Sequence, residues 1–193
     1  SYRGTNRRAP LVGEHTAEVL DTPRAQRRTP TPASTGTPAL PFAGLRVVDV
    51  SQVWAGPYAT RLLADMGAEV IKIEGPTYPD PIRTMSGAHT VPEINQIPYF
   101  NEYGRNKLGV TLDLKQPEGV EALRRLIETA DVFIENWSSG VADRQGLGYA
   151  DVKRLKPDIV YVSMPGFGHV GSDASRIGFG PTIEQMGGLA ALQ

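Results

Sequence analysis

The sequence predicts an α/β fold, a mainly parallel sheet with flanking helices. Three observations predict it. Residues 45–74 read as strand, tight turn, helix and strand. Apolar strand-like runs then alternate with helix-periodic segments to the end of the chain, the pattern of βα units joined by right-handed crossovers. The strand-like runs are nearly continuous in Val and Ile, as expected for strands covered on both faces.

Composition narrows the function classes. The chain has 193 residues, 40% apolar and 21% charged, with a net charge of −1. That balance carries no nucleic-acid footprint. There are no cysteines, which excludes disulfides and thiolate metal sites and fits a cytoplasmic location. The polar, Arg-rich start has no apolar signal-peptide segment, and no apolar run reaches membrane-spanning length. Residues 1–41 carry a net charge of +3 and residues 42–193 one of −4, so the two parts are read separately.

Within the first part, Glu14 to Leu20 has a short helical signal, too short to be stable alone; a frayed start is the competing expectation. Residues 22–41 hold five Pro and five Thr, the composition of a linker with little to bury. Extended, such a segment reaches on the order of 60 Å at roughly 3 Å per residue.

Leu45 to Val50 is the first strand, β-branched at Val47, Val48 and Val50. Gly56-Pro57 follows it and opens a helix, since proline's missing N–H is unpaired in a first turn anyway. That helix is expected to present Tyr58, Leu62, Leu63 and Met66 on one face and to stop at Gly67. Val70, Ile71 and Ile73 form the second strand, with Lys72 and Glu74 interleaved. Residues 75–104 read as a long irregular loop, a length that usually marks function or disorder. Then come a strand at Leu108–Leu114, a helix opened by Pro117, a strand at Asp131–Trp137, and two short helices over 140–146 and 149–156. A buried strand at Asp158–Ser163 and a last helix after Gly178-Phe179-Gly180-Pro181 complete the series.

In open parallel sheets ligands bind outside the carboxyl ends of the strands. Three places therefore matter: Ser51–Ala55, Asn136–Trp137 and Met164–Gly168. The helix N-terminus at Gly56-Pro57 offers free N–H groups to an anionic or carbonyl ligand, or is a plain βα turn. Arg105, Asn106, Lys107, Lys115 and Arg144 are candidates for phosphate contacts or for a solvated face. Trp54 and Trp137 stack on a base, close a pocket, or pack the core. His89 and His169 have no partner at metal-ligand spacing, and no metal site is expected. No Ser-His-Asp set stands out, and no aspartate is a distinct nucleophile. Neither GxGxxG nor a P-loop is present, which disfavours a nicotinamide oxidoreductase.

Taken together, GLRVVDVSQVWAGPYATRLLADMGAEVIKIE (44–74), GRNKLGVTLDLKQPEG (104–119), ADVFIENWSSGVADRQGLGY (130–149) and IVYVSMPGFG (159–168) resemble the family III CoA-transferases. That CaiB/BaiF-like group includes formyl-CoA transferase, carnitine CoA-transferase and 2-methylacyl-CoA racemase. The resemblance implies the N-terminal part of a Rossmann-like large domain over 42–193. It implies coenzyme A or acyl-CoA as substrate, a carboxylic acid as its partner, and no metal, nucleic acid or membrane. The family's CoA contacts fall on Val53, Ala55, Leu112, Lys115, Asn136, Trp137 and Arg144. Its reaction moves CoA between carboxylic acids through an aspartyl mixed anhydride. The resemblance places the catalytic aspartate beyond Gln193, so the chain reads as an inactive fragment truncated before that residue. Formyl-CoA transferase has Gln at the position of Trp54 and Arg at that of Gly75, which implies different substrate contacts. Racemase members carry a His-Asp pair where Phe179-Gly180 stands, which argues against racemisation.

Residues 9–20, APLVGEHTAEVL, are similar to the C-terminal tail of these enzymes. Residues 1–21 are therefore expected to end a preceding unit, 22–41 to link it, and 42–193 to begin a second. The assembly implied is an interlocked homodimer or a tandem pseudo-dimer. A non-catalytic CoA-binding or dimer-scaffolding half of a tandem protein is the alternative reading.

Overall fold

The computed structural model describes residues 7–21, 40–84 and 91–192. The Pro/Thr-rich linker and His89 lie outside these residues, apart from Leu40 and Pro41. The elements run α1 (Thr16–Asp21), β1 (Arg46–Asp49), α2 (Ala55–Asp65), β2 (Glu69–Glu74), α3 (Val91–Ile94), α4 (Pro98–Gly104) and β3 (Lys107–Thr111). They continue with α5 (Pro117–Ile127), β4 (Val132–Glu135), α6 (Val141–Arg144), α7 (Tyr149–Leu155), β5 (Val160–Ser163) and α8 (Gly180–Met186).

The five strands form one sheet in the order β3-β2-β1-β4-β5, every pair parallel. Connections step leftward from β1 to β3, then cross back to β4 and step rightward to β5. Right-handed crossovers therefore put the two sets of helices on opposite faces. On one side α2 covers Val47, Val70 and Ile134 with Ala64 and Leu63. On the other, Ala122, Leu123, Leu126 and Ile127 of α5 pack on Val48, Ile71, Ile73, Val110 and Phe133, with Leu147 and Val152 beyond. The reversal of direction lies between β1 and β4, where an open α/β sheet leaves a crevice.

Four expectations change. The 75–104 stretch is not one irregular loop: it holds a 3-10 turn at Pro81–Arg83 as well as α3 and α4, whose Ile97 and Phe100 pack with Ile82 and Ala9 in a small second core. Helix α2 buries Thr60, Ala64 and Asp65 and leaves Tyr58 and Leu62 exposed: its inner face meets the buried charges Asp49 and Lys107 through Thr60 as well as the apolar cluster of Val47, Val70 and Ile134. Strand β5 is a half-open edge, with Val160 57% exposed, not a buried strand. The start of the chain is not frayed over 7–21. It lies along the open edge of β3: His15 N–H donates to Gly109 O at 2.8 Å, and Thr111 N–H to Thr16 Oγ1 at 2.9 Å. Gly109 N–H donates to His15 Nδ1 at 3.1 Å, while Val19 and Leu20 pack against the main core.

Candidate functional site

The first strand ends at Asp49, and the chain turns sharply after Ser51. Asp49 accepts from Ser51 N–H at 3.0 Å and from the Ser51 hydroxyl, which folds the backbone back over the strand end. Gly56 sits so close that a Cβ there would lie 2.2 Å from Ser51 Oγ, so only glycine fits. Val53 takes a positive φ of 67°, an uncommon conformation for a β-branched residue. Helix α2 starts two residues later. Among the described residues, no hydrogen bond within the chain engages the N–H groups of Trp54, Ala55 or Gly56. They stand at the positive end of the helix dipole.

Strand β4 ends beside this turn. Asn136 makes a reciprocal pair with it: Gln52 N–H donates to Asn136 Oδ1 and Asn136 Nδ2 donates to Gln52 O, both at 2.8 Å. Trp137 N–H donates to the Glu135 carboxylate at 2.7 Å. The two turns, with the segments at Met164–Gly166 and Arg176–Ile183, enclose a cleft of about 520 Å³. Val53, Trp54, Ala55, Asn136, Trp137 and Phe179 are among its walls. Among its described lining residues Arg176 is the one cation, paired with Asp173 at 2.8 Å, and none carries a carboxylate. A smaller depression of about 200 Å³ lies at the other end of the strands, around Arg46, Glu69 and Asn106. The strand-end rule and the open N–H groups favour the carboxyl-end cleft.

Beneath the first turn lies a row of buried charges at the α2 side of the sheet. Lys107 Nζ is 3.1 Å from Asp49 Oδ2, 2.7 Å from Thr60 Oγ1 and 2.9 Å from Pro57 O. Lys72 pairs with Asp80 at 2.9 Å and donates to Ser51 O. Arg83 grips both carboxylate oxygens of Glu74 at 2.8 Å, with its guanidinium 3.2 Å from the Phe100 ring centre. Burial pushes the Asp49 carboxyl up, but Lys107 and Lys72, with the two hydroxyls, outweigh it and hold it at about 2. Burial lowers the Lys107 ammonium to about 8, only partly offset by Asp49.

Four of the seven expected contact residues, Val53, Ala55, Asn136 and Trp137, come together in the cleft. Leu112 does not: its side chain is 6% exposed in the main core. Lys115 is exposed beyond β3, with its ammonium 3.9 Å from the Tyr78 ring centre. Arg144 is exposed on α6, whose first residue lines the cleft. Arg105, Asn106 and Lys107 lie at the amino end of β3, not at a ligand end. Arg105 and Asn106 bind Asp65, and Lys107 is consumed by Asp49. His169 has partners that its loop position gave no reason to expect: Ser163 Oγ 2.7 Å from Nε2 and Ser139 Oγ 3.4 Å from Nδ1. Ser163 in turn contacts buried Glu135. Sequence reasoning missed the buried charges. Their signal was charges of both signs alternating with Val and Ile in interior strands. Among the described residues no group of His, Cys, Asp or Glu is placed to hold a metal, and no helix is long and apolar enough to cross a membrane.

The family model for CoA-transferase family III matches residues 42–193. Succinyl-CoA:glutarate CoA-transferase of Mus musculus is 38% identical over 77% of this chain and 34% of its own length. The succinyl-CoA–L-malate CoA-transferase alpha subunit of Chloroflexus aurantiacus is 34% identical over 98% of this chain and 41% of its own. Among solved structures, Rv3272 from M. tuberculosis superposes with a TM-score of 0.71 at 33% identity, over 79% of this chain and 40% of that one. A CAIB/BAIF family protein from Brucella suis gives 0.68 at 37% identity, over 78% of this chain and 40% of that one. The chain thus spans between a third and two-fifths of the length of these relatives.

Proposed function

The chain belongs to CoA-transferase family III, and from that premise we propose that its β1/β4 cleft binds the thioester end of an acyl-CoA during transfer of CoA to a carboxylic acid. The observation that carries this is the cleft itself, walled by Val53, Ala55, Asn136 and Trp137 at the sheet's reversal point. The unpaired N–H groups at the start of α2 suit a carbonyl oxygen that gains negative charge when a nucleophile attacks. The two indoles suit an acyl chain or a base. Lys115 follows β3 and Arg144 lies on α6 after β4; both are exposed, and their charges suit the phosphates of an extended ligand such as CoA.

In the complete reaction an aspartate carboxylate attacks the donor thioester, giving a mixed anhydride and CoA thiolate. The thiolate attacks the aspartyl carbonyl and releases the donor acid. The acceptor carboxylate attacks the resulting aspartyl thioester and expels the thiolate. The thiolate then attacks the acceptor carbonyl of the second anhydride, forming the new thioester and freeing the aspartate. The described cleft lining supplies no carboxylate, so this scheme draws its nucleophile from outside that lining. The same observation favours the second reading, a CoA-binding half that serves a catalytic unit elsewhere in a tandem or dimeric protein. The relatives named as alpha and beta subunits make a two-unit assembly a natural arrangement.

The test is CoA transfer from succinyl-CoA to glutarate or malate, with hydroxylamine trapping of an acyl-protein. Transfer with a trapped acyl group on an aspartate supports the first reading. CoA binding without an acyl-protein supports the second. Neither binding nor transfer removes both.

A further inference from the structure

We infer that Asp80 is a positioning residue for the CoA-facing turn: its carboxylate holds Val53 in the left-handed conformation that aims the Trp54 and Ala55 N–H groups into the cleft. This rests on the cleft being the CoA site. Val53 N–H donates to Asp80 Oδ1 at 2.9 Å. The same oxygen accepts from Ile82 N–H at 3.1 Å, and Asp80 Oδ2 lies 2.9 Å from Lys72 Nζ. Asp80 N–H donates to Glu74 Oε1 at 2.9 Å, and Arg83 fixes Glu74. The carboxylate is therefore located from three directions by groups that are themselves buried, with Asp80 only 1% exposed.

The backbone of Val53 is the reason a clamp is needed. A β-branched residue at a φ of 67° is strained, and such strain persists only where the surroundings over-determine it. Asn136 fixes Gln52 on one side and α2 begins at Ala55 on the other. Val53 lies between them, and its N–H is held by Asp80 alone. Without that acceptor, Val53 relaxes to negative φ, and the peptide planes that follow rotate away from the cleft. Asp80 belongs to the excursion between β2 and α3, so the clamp ties the CoA turn to a segment outside the β1–α2–β2 unit. Glycine takes positive φ without strain, which gives the inference a direct readout.

The test is CoA binding by isothermal titration in the full-length protein, with the melting temperature recorded beside it. Asp80→Asn removes the charge. Asp80→Glu keeps Lys72 paired but displaces the acceptor by one methylene, and so guards against loss of folding. Both are expected to weaken CoA about tenfold, and Asp80→Glu to do so with little change in melting temperature. Asp80→Glu is expected to cost far less affinity in a Val53→Gly background than in the wild type, a non-additivity that a purely structural role does not produce. Wild-type affinity in Asp80→Glu, or an equal cost of Asp80→Glu in the two backgrounds, overturns the inference while leaving the site intact. Failure of the wild-type protein to bind CoA overturns the site assignment and the inference with it.

Discussion

Asp49 is fully buried and ionised, with Lys107, Lys72, Ser51 and Thr60 around its carboxylate. Its carboxyl is held at about 2 against an ordinary value of 3.8. A carboxyl whose folded value is depressed contributes stability above its unfolded value, and that contribution disappears as pH falls through the folded one. The contribution is on the order of 2 kcal/mol, complete above roughly pH 5 and lost by about pH 2. Glu74 and Asp65 are depressed too: each is raised by burial but lowered more by its arginine, Arg83 and Arg105 respectively. They add to the loss in the same direction. Urea unfolding measured from pH 7 to pH 2 is therefore expected to show stability falling steadily below about pH 5. A flat profile through that range contradicts the arrangement of these charges. Nothing in the local sequence pairs Asp49 with Lys107: they are 58 positions apart. Only the order β3-β2-β1 places them on the same face of the sheet, with β2 between their strands.

At the scale of elements, what was legible followed from hydrophobic periodicity. The β1–α2–β2 unit, α5 and the strand at 132–135 were readable because Val, Ile and Leu recur at the period of a strand or a helix covered by a neighbour. Helix α4 was not, because it is short, opens on Pro98 and turns mainly Phe100 and Gly104 inward. The exposure of β5 was hidden as well, since Val160-Tyr161-Val162 reads as a core strand whether or not a neighbour covers it. Cleft residues on the turns after β1 and β4 were within reach, for strand ends can be counted. Asp80 was not, since its role depends on a tertiary contact with Val53.

The segment over 7–21 belongs to the same scale. It covers an edge that would otherwise present unpaired backbone groups. Deleting residues 1–21 is expected to lower the melting temperature and to promote aggregation, both relieved by adding a peptide of residues 7–21 in trans. An unchanged melting temperature in the deletion contradicts this docking. If residues 1–21 end a preceding unit, that tail completes the sheet of the unit that follows it.

At the scale of the whole molecule, the proposed function has an acidic body bind an anionic ligand at one end of its sheet. Residues 42–193 carry a net charge of −4, so the proposed binding of an anionic ligand depends on local features, the open N–H groups at the start of α2 above all. Ala55 is exposed in the first turn of α2 and lines the cleft. A glutamate there suits the helix dipole and leaves the fold intact, but it sets a negative charge where the ligand's carbonyl or phosphate is proposed to lie. The most direct measurement is CoA affinity of the wild-type protein and of Ala55→Glu, by titration under one set of salt conditions. Saturable binding by the wild type and at least tenfold weaker binding by Ala55→Glu, at an unchanged melting temperature, are the expected results. Equal affinity in the two proteins contradicts it.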